Sequence, residues 1–233
     1  MIEPHIDPDE QPPLRLGADA IPNTPQTRLR AYRGNAGDPI FGFLVVMAVS
    51  IGLTPMLPAQ AELRYSLALA AMAGIAVMAW LLGSFDRIEQ ERPENLLWGI
   101  GFGVLFGAPF LLFFADTFSR ASRLIFPGTS AGVLLAYLVF VIPLAETLFF
   151  RGMMQRHLEF WAAGFVGGLW SAALFFPVMW GEIVEAPAVA LFLLIALLAT
   201  NMLYSYVRER NGLAAAWLCQ IVTGLLLFFV PHL

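Results

Sequence analysis

Two charged residues stand where charge is expensive. Glu146 and Arg151 lie five positions apart at the end of an apolar run from Ala131 to Phe150. A charge at membrane depth costs roughly 2.5–3.5 kcal/mol on insertion scales, so such residues face a protein interior and often mark function. A buried carboxylate can act as a general base toward water. The structural alternative is a satisfied ion: Glu146 hydrogen-bonded within a helix bundle, with Arg151 snorkelling to the interface. The residues alone leave both readings open.

Few other polar groups could attend that acid. Thr147 follows it, Thr200 and Asn201 sit in a later apolar run, and Gln220 and Thr223 in the last one. If these runs pack together, Asn201 and Gln220 could hydrogen-bond Glu146, which by itself would satisfy the group without catalysis. Zinc needs three or four His, Cys or carboxylate ligands. The three histidines are His5, His157 and His232. His157 lies eleven residues beyond Glu146, roughly 16 Å along a continuous helix, and His232 is expected on the opposite side of the membrane. The single cysteine, Cys219, lies inside an apolar run, so neither a disulfide framework nor a cysteine metal site is expected. No metal, no cofactor and no nucleic-acid partner is expected, because a Gly-rich phosphate loop and a basic, aromatic-interleaved patch are both lacking.

The elements that must position these residues are membrane spans. Of 233 residues, 59% are hydrophobic and 13% charged; a soluble domain carries about twice that charge. Long apolar runs recur near the ~20 residues that cross a bilayer. The expectation is an all-α, polytopic transmembrane helical bundle over residues 40–233. Its seven spans are Ile40–Leu57, Leu63–Phe85, Leu96–Phe118, one from Ala131 that continues toward His157, Trp161–Trp180, Pro187–Val207 and Leu213–Val230. Gly99, Gly103 and Gly107 recur every fourth residue, and Gly164 and Gly168 form a second pair. Such spacing bares one helix face for close packing.

Residues 1–39 read as a disordered cytoplasmic tail, rich in proline and poor in apolar surface. It lacks the early basic and apolar segments of a signal peptide. All thirteen basic residues are arginine, and the net charge is −4. With the N-terminus inside, nine arginines (Arg28, Arg30, Arg33, Arg87, Arg92, Arg151, Arg156, Arg208, Arg210) fall near the inner face. Three (Arg64, Arg120, Arg123) fall in outer links. That bias predicts N-inside, C-outside.

The stretch Glu146-Thr147-Leu148-Phe149-Phe150-Arg151-Gly152 resembles the first motif, Glu-Glu-x-x-x-Arg, of the CAAX-protease and bacteriocin-processing (CPBP, or Abi) family of intramembrane proteases. The family's second motif, Phe-x-x-x-His, is similar to the stretch Ser171–Trp180. Its histidine falls on Met179 if Phe175 is the motif aromatic, or on Trp180 if Phe176 is. The third, His-x-x-x-Asn after a Gly-x-Leu turn, fits Asn211 to Gly224, with Gln220 at the histidine and Gly224 at the asparagine. The resemblance spans residues 131–229. It implies a helical intramembrane endopeptidase whose glutamate and histidine activate water, acting in some members near prenylated C-termini, with a metal's part disputed.

This chain departs from that pattern at Thr147, Met179 or Trp180, Gln220 and Gly224. Neither a thioether nor an indole accepts a proton as imidazole does, and an amide can donate to an oxyanion but cannot shuttle protons. The expectation is a catalytically degenerate homologue, a pseudoenzyme with Glu146, Arg151 and Gln220 as the residual site, that binds or scaffolds a membrane protein or lipidated peptide. The alternatives are an active glutamate-dependent endopeptidase and an accessory subunit of a larger membrane complex. The expected setting is the lipid bilayer of a bacterial inner (plasma) membrane.

Overall fold

The structure is a computed structural model that describes residues 38–57, 59–81 and 92–233. Among the described residues, seven helices are long and apolar enough to cross a membrane: α1 (Pro39–Met56), α2 (Ala61–Ala79), α3 (Pro93–Ile125), α4 (Ala131–Arg156), α5 (Phe160–Glu185), α6 (Pro187–Asn211) and α7 (Leu213–His232). The expected all-helical bundle of seven spans is therefore what forms. Apart from Asp38 and Pro39, the tail expected over residues 1–39 lies outside the described residues, as does most of the link after α2.

Helix starts follow capping chemistry. Asp38 accepts from the Ile40 and Phe41 amides at 2.9 and 3.4 Å, and Pro39 fills the first helical position, where a missing N–H costs nothing. Gly212 joins α6 to α7 at φ 98°, a left-handed conformation that a side chain would strain.

Helix α3 is longer than its hydropathy suggests. It reaches Ile125 rather than Phe118, contains Pro109, and departs from helical torsions at Phe114. Arg120 and Arg123 thus sit on its last turns, not in a link. The stretch between the expected fifth and sixth spans is also mostly helix: α5 runs on to Glu185 rather than ending at Trp180, and Glu182 pairs with Arg120 at 2.6 Å.

Bare glycine faces bring the helices together. A Cβ on Gly99 would strike the Ala215 carbonyl, one on Gly103 would lie 2.9 Å from Val222 Cβ, and one on Gly107 2.9 Å from Leu226. The α3 glycine stripe is therefore consumed against α7 inside the bundle. Gly164 and Gly168 do the same between α5 and α6, where added Cβ atoms would come within 2.8 Å of Met202 and 2.6 Å of Leu198. Outward-facing Leu105, Leu112 and Phe113 of α3 are exposed, as a helix against lipid tails requires.

The most enclosed span is α4, with 56% of its most apolar window buried against 17% for α1 and α3. It is not a plain α-helix. Pro143 removes a backbone donor, and π-helical turns run over Tyr137–Val141 and Thr147–Met153. Such widened turns often accompany functional sites.

Two arginines are placed differently from expectation. Arg64 is not in an outer link but wholly buried in α2. Its guanidinium donates to the carbonyls of Leu174 and Ala173 in α5 and to Ser50 in α1. Pro177 has no N–H for the Ala173 carbonyl four residues back, and α5 passes into a tighter 3-10 turn over Phe176–Met179. Arg64 fills that gap. Arg151 is likewise wholly buried in the bundle rather than snorkelling. Removing both from the tally leaves eight inner arginines against two, the same direction of bias.

Candidate functional site

The carboxyl group of Glu146 points into the bundle and is 2% exposed. Gln220 on α7 donates Nε2–H to Glu146 Oε2 at 2.5 Å, and Trp170 on α5 donates its indole N–H to Oε1 at 3.2 Å. Thr147 in turn donates to Gln220 Oε1 at 3.2 Å. This chain of contacts fixes the Gln220 amide: its NH2 faces an acceptor and its carbonyl a donor. Both oxygens of Glu146 are met by N–H donors.

A second network holds Arg151. Its Nη2 donates to Asn201 Oδ1 at 2.7 Å and more weakly to the Asn201 carbonyl at 3.4 Å. Its Nη1 reaches the backbone carbonyl of Glu146 at 3.5 Å, not the carboxylate. The Tyr204 ring lies 5.2 Å from the guanidinium carbon, a cation–π distance. Asn201 completes its bonds to Ser171 Oγ at 3.1 Å and the Leu197 carbonyl at 2.9 Å. Among the described residues the ion pair within 4.0 Å is Arg120–Glu182, so Glu146 and Arg151 are neighbours without a direct salt bridge.

The sequence expectation that Gln220 would bond Glu146 is met by this geometry. Asn201 instead serves Arg151. The backbone decides between Met179 and Trp180. Phe175 and Met179 are buried on the wall of the cavity beside Glu146, whereas Trp180 turns outward and is 65% exposed. The register that sets Phe175 as the motif aromatic is the one that points inward. Gly224 lines the same cavity, with Leu138 at 3.7 Å from where its Cβ would be.

Trp170, Ser171 and Tyr204 are site residues that sequence reasoning did not single out. Their signal was available in kind: a buried indole N–H or hydroxyl in an apolar run needs a partner. Which partner it has depends on the packing of α5 against α4 and α6.

The cavity beside Glu146 has a volume of about 60 Å³. That is room for a few waters and not for a peptide. Its polar lining is Glu146, Ser171, Thr200, Asn201, Tyr204 and Gln220; the other lining residues are apolar. Among the described residues no group of three His, Cys, Asp or Glu side chains is placed to hold a metal ion. Around Glu146 the neighbours are an amide and an indole N–H, a set that does not fit zinc. His157 is exposed at the end of α4, His232 lies against Ser122, and His5 lies outside the described residues.

With Glu146 as base, water could be deprotonated in this cavity, and Gln220 could donate to an oxyanion. The two side chains hydrogen-bonded to Glu146, an amide and an indole N–H, cannot themselves take up a proton as imidazole does.

Residues 128–226 match the family model described as type II CAAX prenyl endopeptidase Rce1-like, close to the boundaries of 131–229 expected from the motifs. The match takes in Glu146, Arg151, Met179, Gln220 and Gly224. No curated protein and no solved structure matches the chain. Residues 128–226, running from the start of α4 into α7, are therefore an Rce1-like domain of the CAAX prenyl endopeptidase (CPBP/Abi) family within a helical membrane protein.

Proposed function

We propose that this domain is a catalytically degenerate member of its family that binds or scaffolds another membrane protein or a lipidated peptide instead of cutting it. One observation carries the reading. Both oxygens of Glu146 are held by donors that cannot take up a proton, Gln220 and Trp170, and a thioether stands at Met179 where the family places imidazole. Losing partners that act as a unit costs orders of magnitude in rate. The arginine bias supports an N-inside orientation, and the expected setting is a bacterial inner (plasma) membrane.

The test is peptide cleavage by the purified chain in nanodiscs, alongside Glu146→Gln. Turnover indistinguishable between the two is expected. Turnover that disappears in Glu146→Gln would overturn the degenerate reading.

A second reading, an active glutamate-dependent endopeptidase, is favoured by Glu146 lining a cavity with room for water. It requires Gln220→Ala to lower turnover sharply and a chelator to leave it unchanged. The accessory-subunit reading draws no support from the α3 glycine face, which α7 occupies.

A further inference from the structure

The cavity beside Glu146 does not stand alone. A second cavity, of about 250 Å³, lies between the end of α3, the last turns of α5 and the start of α6. The two share three wall residues, Ala121, Met179 and Leu193.

Their arrangement can be read from α6. Val189, Ala190 and Leu193 of α6 line the outer cavity, and Leu193, Ala196, Thr200 and Tyr204 line the inner one. Steps of three or four residues stay on one helix face. The cavities therefore lie end to end along a single stripe of α6, meeting at Leu193. From there to Asn201, which holds Arg151, is eight residues, about 12 Å of helical rise.

The outer cavity begins where α6 begins, at one end of the bundle. Arg120 and Glu182 both line it, with side chains 69% and 37% exposed, so this end meets a polar environment. At the junction Ala121 is too small to close a passage, and Leu193 is branched at Cγ on the wall of both cavities. Met179 is buried and ends the 3-10 turn that contains Pro177, with backbone torsions (φ −97°, ψ 13°) outside the α-helix. An unbranched thioether there can swing aside without moving a helix.

We propose that water and small polar solutes reach Glu146 from this end of the bundle, along the α6 stripe, and that Met179 sets the width of the passage. The route holds whether or not the site cleaves peptides. Met179 thus determines what reaches the acid without itself touching the reacting atoms.

The experiment uses thiol modification. In a Cys219→Ala chain in nanodiscs, Gly224→Cys supplies a single thiol on the inner cavity, probed with a small, lipid-impermeant cationic methanethiosulfonate. Modification is expected to be slow with Met179 present. It should rise roughly tenfold in Met179→Ala, the change produced by lowering a barrier about 1.4 kcal/mol. Leu193→Ala should act in the same direction, and Ala190→Trp, which narrows only the outer cavity, should suppress the gain.

Native Cys219, buried and on neither cavity wall, reports general loosening and should stay unreactive in Met179→Ala. If it reacts, Leu193→Ala and Ala190→Trp decide. Rates unchanged by Met179→Ala and Leu193→Ala, or a gain that Ala190→Trp leaves intact, would overturn the proposal.

Discussion

Gly167 is where the packing of α5 on α6 touches the polar site most directly. A Cβ there would lie 2.7 Å from Asn201 Oδ1, 3.4 Å from Asn201 Cγ and 3.6 Å from Phe150 Cγ. That oxygen accepts from Arg151 Nη2 at 2.7 Å, the shortest hydrogen bond the buried guanidinium makes. Gly167→Ala forces either the helices apart or the amide away. Overpacking of this kind costs about 1–3 kcal/mol, and losing a hydrogen bond to a charged group about 1.5–3 kcal/mol. The two are not independent, because moving the amide relieves the overlap. We expect a loss of about 3 kcal/mol, or roughly 6–12 °C in Tm for a chain of this size. The assay is thermal unfolding in nanodiscs, with Gly101→Ala as control because a Cβ there has open space. Asn201→Ala removes the atom that is struck, so adding Gly167→Ala to it should cost far less than in the wild type, a coupling that a double-mutant cycle measures. Equal melting of Gly167→Ala and Gly101→Ala would refute the close approach, and strict additivity with Asn201→Ala would refute its assignment to the amide.

Three further outcomes follow from the same contacts. Gly99→Leu should destabilise the bundle by at least about 1–3 kcal/mol, since even a Cβ strikes the Ala215 carbonyl of α7; denaturation in mixed detergent measures it. Trp170→Phe keeps an aromatic ring, smaller than the indole, but removes the donor to Glu146 Oε1, and at this buried site should cost at least about 1–3 kcal/mol in the same assay. Arg120→Gln should shift stability by less than about 1 kcal/mol, because its ion pair with Glu182 is exposed; melting at low and high salt tests this.

The seven spans, the burial of Glu146 and the close approach of α3 and α5 to their neighbours were legible in the sequence. Each follows from a local rule: an apolar run of bilayer length, a carboxylate too costly to leave in lipid, glycines spaced to share one face. Motif order and spacing also located the family domain, because those residues recur at fixed intervals along the chain. Other features needed the packed bundle. Met179 and Trp180 are adjacent, and only the turn that α5 takes at Pro177 aims one inward and the other outward. Arg64 looked like a residue of a solvated link until α2 and α5 were brought together and an unpaired carbonyl lay within its reach. Asn201 and Gln220 were equal candidates for Glu146; the facing of α6 and α7 gave one to Arg151 and the other to the acid. Sequence determines which groups must be satisfied, since that depends on residue type and surroundings along the chain. Tertiary structure decides by whom, since hydrogen bonds reach about 3 Å and depend on which helix faces meet.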